Sequence, residues 1–353
     1  MTKKKPTSGR RQHANVTVND VARLAGVSPM TVSRVVNQED NVRPSTRDKV
    51  MRAIKDLGYR PNKAARSLAS ANPITISLVF INPNNTFLSA MLRGLLDRAH
   101  HADTHIVIEE CKEGPETLRT ISELVEDGVE GFMLGPPLCD SENALEMLEK
   151  NGIPAVTIGS EHGFQHVSQV CVDDRQAAHD ITKYVIGLGH KRIAFMIGNT
   201  GQSASWMRLE GFRNAMSEAG LEVDEGLVIQ GRFAYRSGTE VADQLLDLDI
   251  PPTAIIASND DMAAGAVAAA HHRNVEVPGQ LTICGFDDTL LATAIEPAIT
   301  TIRQPIPQMA HAAVELLEKN IRSVRSGGEL KRLSETHDFE LVLRDSHAPP
   351  PQT

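Results

Sequence analysis

Thr17-Val18-Asn19-Asp20-Val21-Ala22-Arg23-Leu24-Ala25-Gly26-Val27-Ser28-Pro29-Met30-Thr31-Val32-Ser33-Arg34-Val35-Val36-Asn37 decides how the first part of this 353-residue chain folds. Val18, Val21, Leu24 and Ala25 recur at helical spacing behind Thr17, a residue type suited to the N-cap. Gly26-Val27 supplies a tight turn. Ser28 caps a second helix and Pro29 opens it, at a position where a missing N–H costs nothing. Val32, Val35 and Val36 then face the first helix, while Pro29, Met30, Ser33 and Arg34 face outward, as a recognition helix in a major groove requires. A third helix from about Pro44 to Leu57, stopped by Gly58, brings Val50, Met51, Ile54 and Leu57 to close the small core. Residues 16–60 therefore read as an all-α helix-turn-helix head, behind a disordered basic tail over 1–15.

Charge supports that division. The net charge is −9, yet residues 1–73 carry 15 Lys and Arg against 5 Asp and Glu (+10), leaving 21 against 40 (−19) for residues 74–353. A basic head on an acidic body suits a phosphate contact confined to one end. No run of about 18 apolar residues occurs and the N-terminus leads into polar sequence, so the expectation is a cytoplasmic, nucleoid-associated protein with no membrane contact. Cys111, Cys139, Cys171 and Cys284 are far apart and lie beside apolar runs, which fits reduced core residues and no metal.

From Ile74 the pattern alternates. Apolar runs at 74–80, 106–108, 131–134, 155–158, 192–197, 254–257 and 281–284 are separated by helical stretches at 89–102, 115–126, 177–188, 207–219, 237–246 and 261–272. Such alternation argues for parallel sheets wound by helices, and the strands exceed what one sheet needs, so two lobes are expected over 74–345. Ligands bind beyond the carboxyl ends of parallel strands. There the chain places Asn84, Asn85 and Phe87, then Gly135, Asn259-Asp260 and Asp287-Asp288. Amides and carboxylates suit a fan of hydroxyls, and an aromatic face suits the C–H side of a sugar ring. Asp260 and Asp288 read as caps of the helices that follow them, which favours Asn259 and Asp287 as ligands.

These residues together resemble the lactose/galactose repressor (LacI/GalR) family. The match runs through Val18-Asn19-Asp20-Val21-Ala22, Ala25-Gly26-Val27-Ser28, Thr31 to Asn37, Gly58-Tyr59-Arg60-Pro61-Asn62 and Ala65-Arg66-Ser67-Leu68, and continues to about Arg344. The resemblance implies a periplasmic-binding-protein-like core of two doubly wound lobes, about 74–172 with 302–332 and about 173–301 with 333–345. Three strands would cross between them near Val172, Thr301 and Arg332, and a disordered tail would follow over 346–353. It implies a hinge helix and linker over 61–73 in which Leu68 is a minor-groove wedge, with Ala65 beneath it and Asn62 on the DNA backbone. An Ala-rich turn or two is too short to be stable alone, so binding must supply its ordering. Thr17, Ser28, Thr31, Asn37, Asn41, Thr46 and Tyr59 complete the residues expected at DNA. The effector contacts fall on Arg208, Asn259, Asp287 and Gln304, with Asn85 and the aromatics Phe87 and Phe233. The loop Asn82 to Leu88 and the segment holding Gln202, Ser205 and Trp206 depart from the family pattern, and both are expected to set effector identity.

An enzyme would need a nucleophile-base or metal constellation. The chain has no Gly-x-Ser-x-Gly, phosphate loop, His-Glu-x-x-His or Gly-x-Gly-x-x-Gly motif. The reading is thus a transcriptional regulator, most simply a repressor, with no enzymatic activity and no cofactor. Its expected partners are a palindromic double-stranded operator and a sugar-like effector. A homodimer rather than a tetramer is expected, since the segment after Leu343 lacks a leucine heptad. Two alternatives are a vestigial cleft and control by a protein or phosphosugar co-repressor. A sugar-transport protein would lack the DNA head.

Overall fold

The computed structural model describes residues 16–36, 42–59, 73–81, 86–99, 104–112, 114–160 and 163–351. The basic tail, Asn37, Asn41, the hinge positions Asn62, Ala65 and Leu68, and Asn84 and Asn85 lie outside the described residues. The chain divides into two compact units at Pro73 and Ile74.

In the first unit, α1 (Val18–Ala25), α2 (Pro29–Val36) and α3 (Pro44–Leu57) enclose Val21, Ala22, Val32, Val35, Val50 and Ala53. Thr17 and Asp20 form a capping box, in which the Thr17 N–H and hydroxyl both donate to the Asp20 carboxylate at 3.0 and 2.7 Å. The bond from the Thr17 hydroxyl, followed by that from its N–H, holds the Asp20 carboxyl below its ordinary value. Gly26, at φ 67°, closes α1 in the left-handed conformation that allows the tight turn into α2. Ser28 Oγ accepts the Thr31 N–H at 3.2 Å, capping α2 as expected.

The second unit is built from two six-stranded sheets. In the first lobe the elements are β1 (Ile74–Phe80), α4 (Thr86–Ala99), β2 (Thr104–Glu110), α5 (Pro115–Glu126), β3 (Gly131–Leu134), α6 (Glu142–Lys150), β4 (Ala155–Ile158) and β5 (Val167–Val172). The second lobe continues with α7 (Asp174–Gly187), β6 (Ile193–Ile197), α8 (Ser203–Glu218), β7 (Val228–Gln230), α9 (Tyr235–Leu246), β8 (Ala254–Ala257), α10 (Asp260–His272), β9 (Thr282–Asp287), α11 (Leu291–Ala294) and β10 (Thr300–Arg303). Then come α12 (Ile306–Arg325), β11 (Ser334–His337) and β12 (Glu340–Val342). The sheet orders are β11-β5-β4-β3-β1-β2 and β12-β10-β9-β8-β6-β7, all parallel except β12 against β10. Fully buried strands such as β3, β4 and β8 read as continuous apolar runs because helices cover both faces. Among the described residues no helix is long and apolar enough to cross a membrane.

The crossings differ from expectation in two places. β10 stays in the second sheet through Arg303, and the chain returns to the first lobe only at α12, which packs Met309, Ala313, Leu317 and Ile321 into the first core. Ser334 to His337 pair with Gln169 to Val172 in the first sheet, so the last crossing lies between His337 and Glu340 rather than near Arg332. Polar β11 is selected by its partner strand, not by its own hydrophobicity.

The segment from Ser346 is likewise not a disordered tail, since it docks along the start of β9. Ser346 is fully buried; its Oγ accepts the Thr300 N–H at 2.9 Å and donates to the Ile283 carbonyl. His347 lies between the Tyr184 and Thr300 hydroxyls at 2.7 Å each, and the Ala348 carbonyl meets His190 Nε2 at 2.8 Å. The triple proline forbids a helix but not this extended path. Ser346→Ala strands a buried amide and a buried carbonyl, which costs about 1–3 kcal/mol. Urea unfolding should show that loss, and unchanged stability would mean the docked segment contributes nothing.

Candidate functional site

The first candidate surface is the outer face of α2. Ser28, Pro29, Met30, Ser33 and Arg34 are exposed and Thr31 is half-buried. Met30, at 66 % exposure, is an apolar side chain left in water by the head's own core. Arg34 Nη2 reaches Met30 Sδ at 3.9 Å, so one apolar and one cationic group share a turn of the helix. Thr17 is exposed with its hydroxyl engaged in the capping box, and Thr46 is half-buried at the start of α3. Tyr59 packs against the head core as well as showing part of its ring.

The second candidate is a cavity of about 220 Å³ between the two lobes of the body, at the carboxyl ends of their strands. It gathers Phe87, Arg208, Phe233, Asn259, Asp287 and Gln304, six of the seven residues expected at the effector; Asn85 is not described. Arg208, on α8, is only 6 % exposed. Its Nε donates to Asp174 at 2.7 Å, its Nη1 donates to the Ser258 carbonyl, and its guanidinium lies 3.7 Å from the centre of the Phe286 ring. Asp287, at the end of β9, accepts from Gln304 Nε2 at 2.7 Å and stands 3.8 Å from Arg208 Nη1. Burial pushes its carboxyl well above the ordinary carboxylate range, against the pull of Arg208. The Phe233 ring covers Gly198, where a Cβ would meet it at 2.0 Å, so only glycine admits that aromatic wall. Phe87 forms the wall from the first lobe, beside Gly159.

The neighbouring carboxylates correct the capping expectation. Asn259, not Asp260, caps α10: its Oδ1 accepts the Met262 N–H at 2.9 Å while its Nδ2 donates to the Phe233 carbonyl at 3.2 Å. Asn259 thus lines the cavity with its oxygen already committed. Asp260 is fully buried behind it and accepts from the Thr289 N–H at 2.7 Å and the Thr301 hydroxyl at 2.6 Å. Asp288 caps no helix and pairs with Arg303 and Arg344. Asp174, the anchor of Arg208, went unrecognised. In sequence it is one of two adjacent aspartates opening a helix, and Asp173 is the cap; its partner lies 34 residues away.

The lobes meet beside the cavity. Thr86 Oγ1 donates to Asp261 at 2.5 Å, and Ser203 Oγ donates to Ser160 Oγ at 3.2 Å. Asp261 is pushed above its ordinary value by burial, opposed by the Thr86 bond.

Known proteins resemble this chain over nearly its whole length. Residues 17–62 match the family of bacterial regulatory proteins, lacI family, and residues 182–347 match the periplasmic binding protein-like domain. Catabolite control protein A of Priestia megaterium is 35 % identical over 329 residues, 92 % of this chain and 98 % of the relative. The transcriptional repressor PurR of Vibrio cholerae is 31 % identical over 94 % of this chain and 97 % of its own. A solved transcriptional regulator, CelR, in complex with cellobiose superposes with a TM-score of 0.71 at 32 % identity, covering 94 % of this chain and 99 % of that one.

Asp260 gives a pH test. Burial raises its carboxyl from 3.8 to about 7, while the Thr301 and Thr289 bonds oppose the rise. A raised folded-state pKa means that the folded protein binds the proton more tightly than the unfolded chain. Its contribution to stability is therefore complete below about 3.8 and lost as pH rises through about 7. Unfolding free energy should fall across that window, and Asp260→Asn should flatten the fall. An equal slope in the variant would assign the pH dependence to other groups.

Proposed function

Because this chain belongs to the LacI family of bacterial transcriptional regulators and is a ligand-controlled DNA-binding regulator rather than an enzyme, we propose that it acts in the cytoplasm as a homodimer on a palindromic double-stranded operator. The two-fold partner is needed because one head of this type reads one half-site. α2 enters the major groove, with Arg34 on a guanine edge and Pro29 and Met30 against a thymine methyl. Thr17, Ser28, Thr31, Ser33, Thr46 and Tyr59 hold the backbone around it. Asn37, Asn41 and the hinge, with Asn62, Ala65 and the Leu68 wedge, belong to the same reading.

The effector is a sugar or sugar derivative, held by Arg208, Asn259, Asp287 and Gln304 between Phe87 and Phe233. The observation that carries this is the Asp287 carboxylate: it is buried, 2.7 Å from the Gln304 amide and too far from Arg208 for a close pair. Acceptor capacity there faces a cavity walled by two phenyl rings, the pairing that a ring with hydroxyls on its edge and C–H groups on its face requires. The bound cellobiose of the similar regulator CelR supports a saccharide.

Operator titrations with and without sugars test the reading as a whole. A cognate sugar should shift operator affinity; no shift with any sugar would leave a vestigial cleft, and a shift only with a phosphosugar or a protein would name that co-regulator instead. Arg34→Ala should cost about 1–3 kcal/mol on the cognate operator and relax discrimination at one base pair. Equal weakening on all sequences in a competition assay would reduce Arg34 to a phosphate contact. Asp287→Ala should remove the calorimetric heat of the cognate sugar and bring the ratio of operator affinities with and without it to 1. Wild-type heat from the variant would remove Asp287, and this placement of the effector, from the mechanism.

A further inference from the structure

We infer that the effector carries at least two sugar units, and that the second is read by Asp140, Asn199 and Gln202 in an annex to the cavity described above. The inference rests on the reading that the main cavity takes a sugar. A second cavity of about 180 Å³ adjoins the first and shares Pro137, Asn199 and Gln202 with it. The two are similar in volume, so the annex has room for a unit of the same size as the one the main cavity holds.

The chemistry of the annex is that of a hydroxyl-bearing, uncharged group. Asp140 has one carboxylate oxygen occupied by the Ser160 hydroxyl at 2.7 Å; among the described residues the other meets only the Cys139 thiol at 3.5 Å, a weak donor. That second oxygen can still accept. Asn199 Oδ1 takes the Gly201 N–H at 3.0 Å, which orients the side chain and leaves its Nδ2 to donate. The Gln202 side-chain amide has no hydrogen-bond partner among the described residues. Thr117 and Ser141 complete a polar lining in which, among the described residues, no Lys, Arg or His takes part. Among the described residues a phosphate would meet the Asp140 carboxylate without a cation to offset it. In the main cavity, Arg208 is already committed to Asp174, and Arg232 at the rim to Glu240. Both compartments therefore favour a neutral polyol.

The annex also draws its walls from both lobes. Asp140 and Ser141 belong to the first, and Asn199 and Gln202 to the second, in the loop that leads into α8. A chain of hydroxyls runs across the same seam, from Ser203 to Ser160 to Asp140. A second sugar unit touches both lobes at once, so it contributes to affinity through closure as well as through its own contacts.

Calorimetric titration of the full-length protein with monosaccharides, with α- and β-linked disaccharides and with glucose 6-phosphate decides the matter. The expected result is a disaccharide that binds at least 10-fold tighter than either of its component monosaccharides. Ser141→Phe, which fills the annex, should bring that ratio close to 1 in protein whose circular dichroism shows it folded; where it does not fold, Gln202→Ala is put to the same ratio and should reduce it. A monosaccharide binding as tightly as the best disaccharide overturns the inference and leaves the sugar reading standing. So does a 10-fold preference that survives the folded Ser141→Phe variant. Tightest binding by glucose 6-phosphate overturns the neutral ligand, and heat from no saccharide at all overturns the sugar reading itself.

Discussion

The structure of the second lobe turns on a guanidinium kept out of water. Moving an ion of that size from water into protein costs several kcal/mol even after relaxation, so Arg208 is tolerable only with its donors and its face occupied. Its three partners come from three different elements: Asp174 from the first turn of α7, the Ser258 carbonyl just before α10, and the Phe286 ring from β9. Satisfying one cation thereby holds three strand ends and helix starts in register, and those ends are the wall of the cavity. Removing either member of the Arg208–Asp174 pair would leave the other charged and buried, the costly half of such an interaction. Asp287, at 3.8 Å from the same guanidinium, sits outside this closed set and keeps capacity for a ligand.

Backbone strain gathers at the same place. Phe233, Asp287 and Asp288 adopt positive φ of 53°, 110° and 55°, conformations that cost non-glycine residues on the order of 1–3 kcal/mol each. Each is held by its surroundings. Phe233 lies against Gly198, where a Cβ would push its ring out of place, Asp288 is pinned by Arg303 and Arg344, and the Asp287 carbonyl accepts the Gln304 N–H at 3.3 Å. From these strained positions the Phe233 ring and the Asp287 side chain line the cavity.

Much of the fold was legible because periodicity and burial agree. The caps and the inward valines of the head could be read, with Thr17 and Ser28 at the caps and Gly26 at the left-handed stop, but Leu24 and Met51, expected on its apolar face, are exposed at 55 % and 54 %, and the small Ala22 and Ala53 pack in the core instead. The strands written as unbroken apolar runs, 74–80, 131–134, 155–158 and 254–257, are the strands observed. What escaped was polar and buried. β5 carries Ser168 and Gln169 inside because Asn320, Leu333 N–H, Ser334 and Arg332 satisfy them, and β11 and the Ser346 segment are held by partners more than 40 residues away. No local pattern marks such positions, since their stability lies in tertiary hydrogen bonds. The cavity shows the same boundary. Strand-end position and residue type pointed to Asp287 and Asn259, but the exchange of roles between Asn259 and Asp260, and the burial of Asp174 beneath Arg208, depend on which element packs above them.

Control by a ligand requires that the lobe arrangement be held loosely enough to move. The hydrogen bonds that cross beside the cavity, Thr86 to Asp261 and Ser203 to Ser160, join neutral hydroxyls to a carboxyl and to a hydroxyl. Net contributions near 1 kcal/mol are typical for bonds of this kind, well short of the roughly 5.5 kcal/mol needed to carry a two-state equilibrium from 1:99 to 99:1. Closure by these contacts alone therefore leaves an appreciable open population. A ligand moves that balance only by as much as it prefers one arrangement over the other. In the proposed reading, contacts confined to the second lobe, such as those at Arg208 and Asp287, would set affinity in both states alike. Contacts that a ligand in this cavity would make at once with Phe87 on the first lobe and Phe233 on the second can exist only when the lobes are together, so on the proposed reading the residues that hold the effector and those that make its binding consequential are different sets.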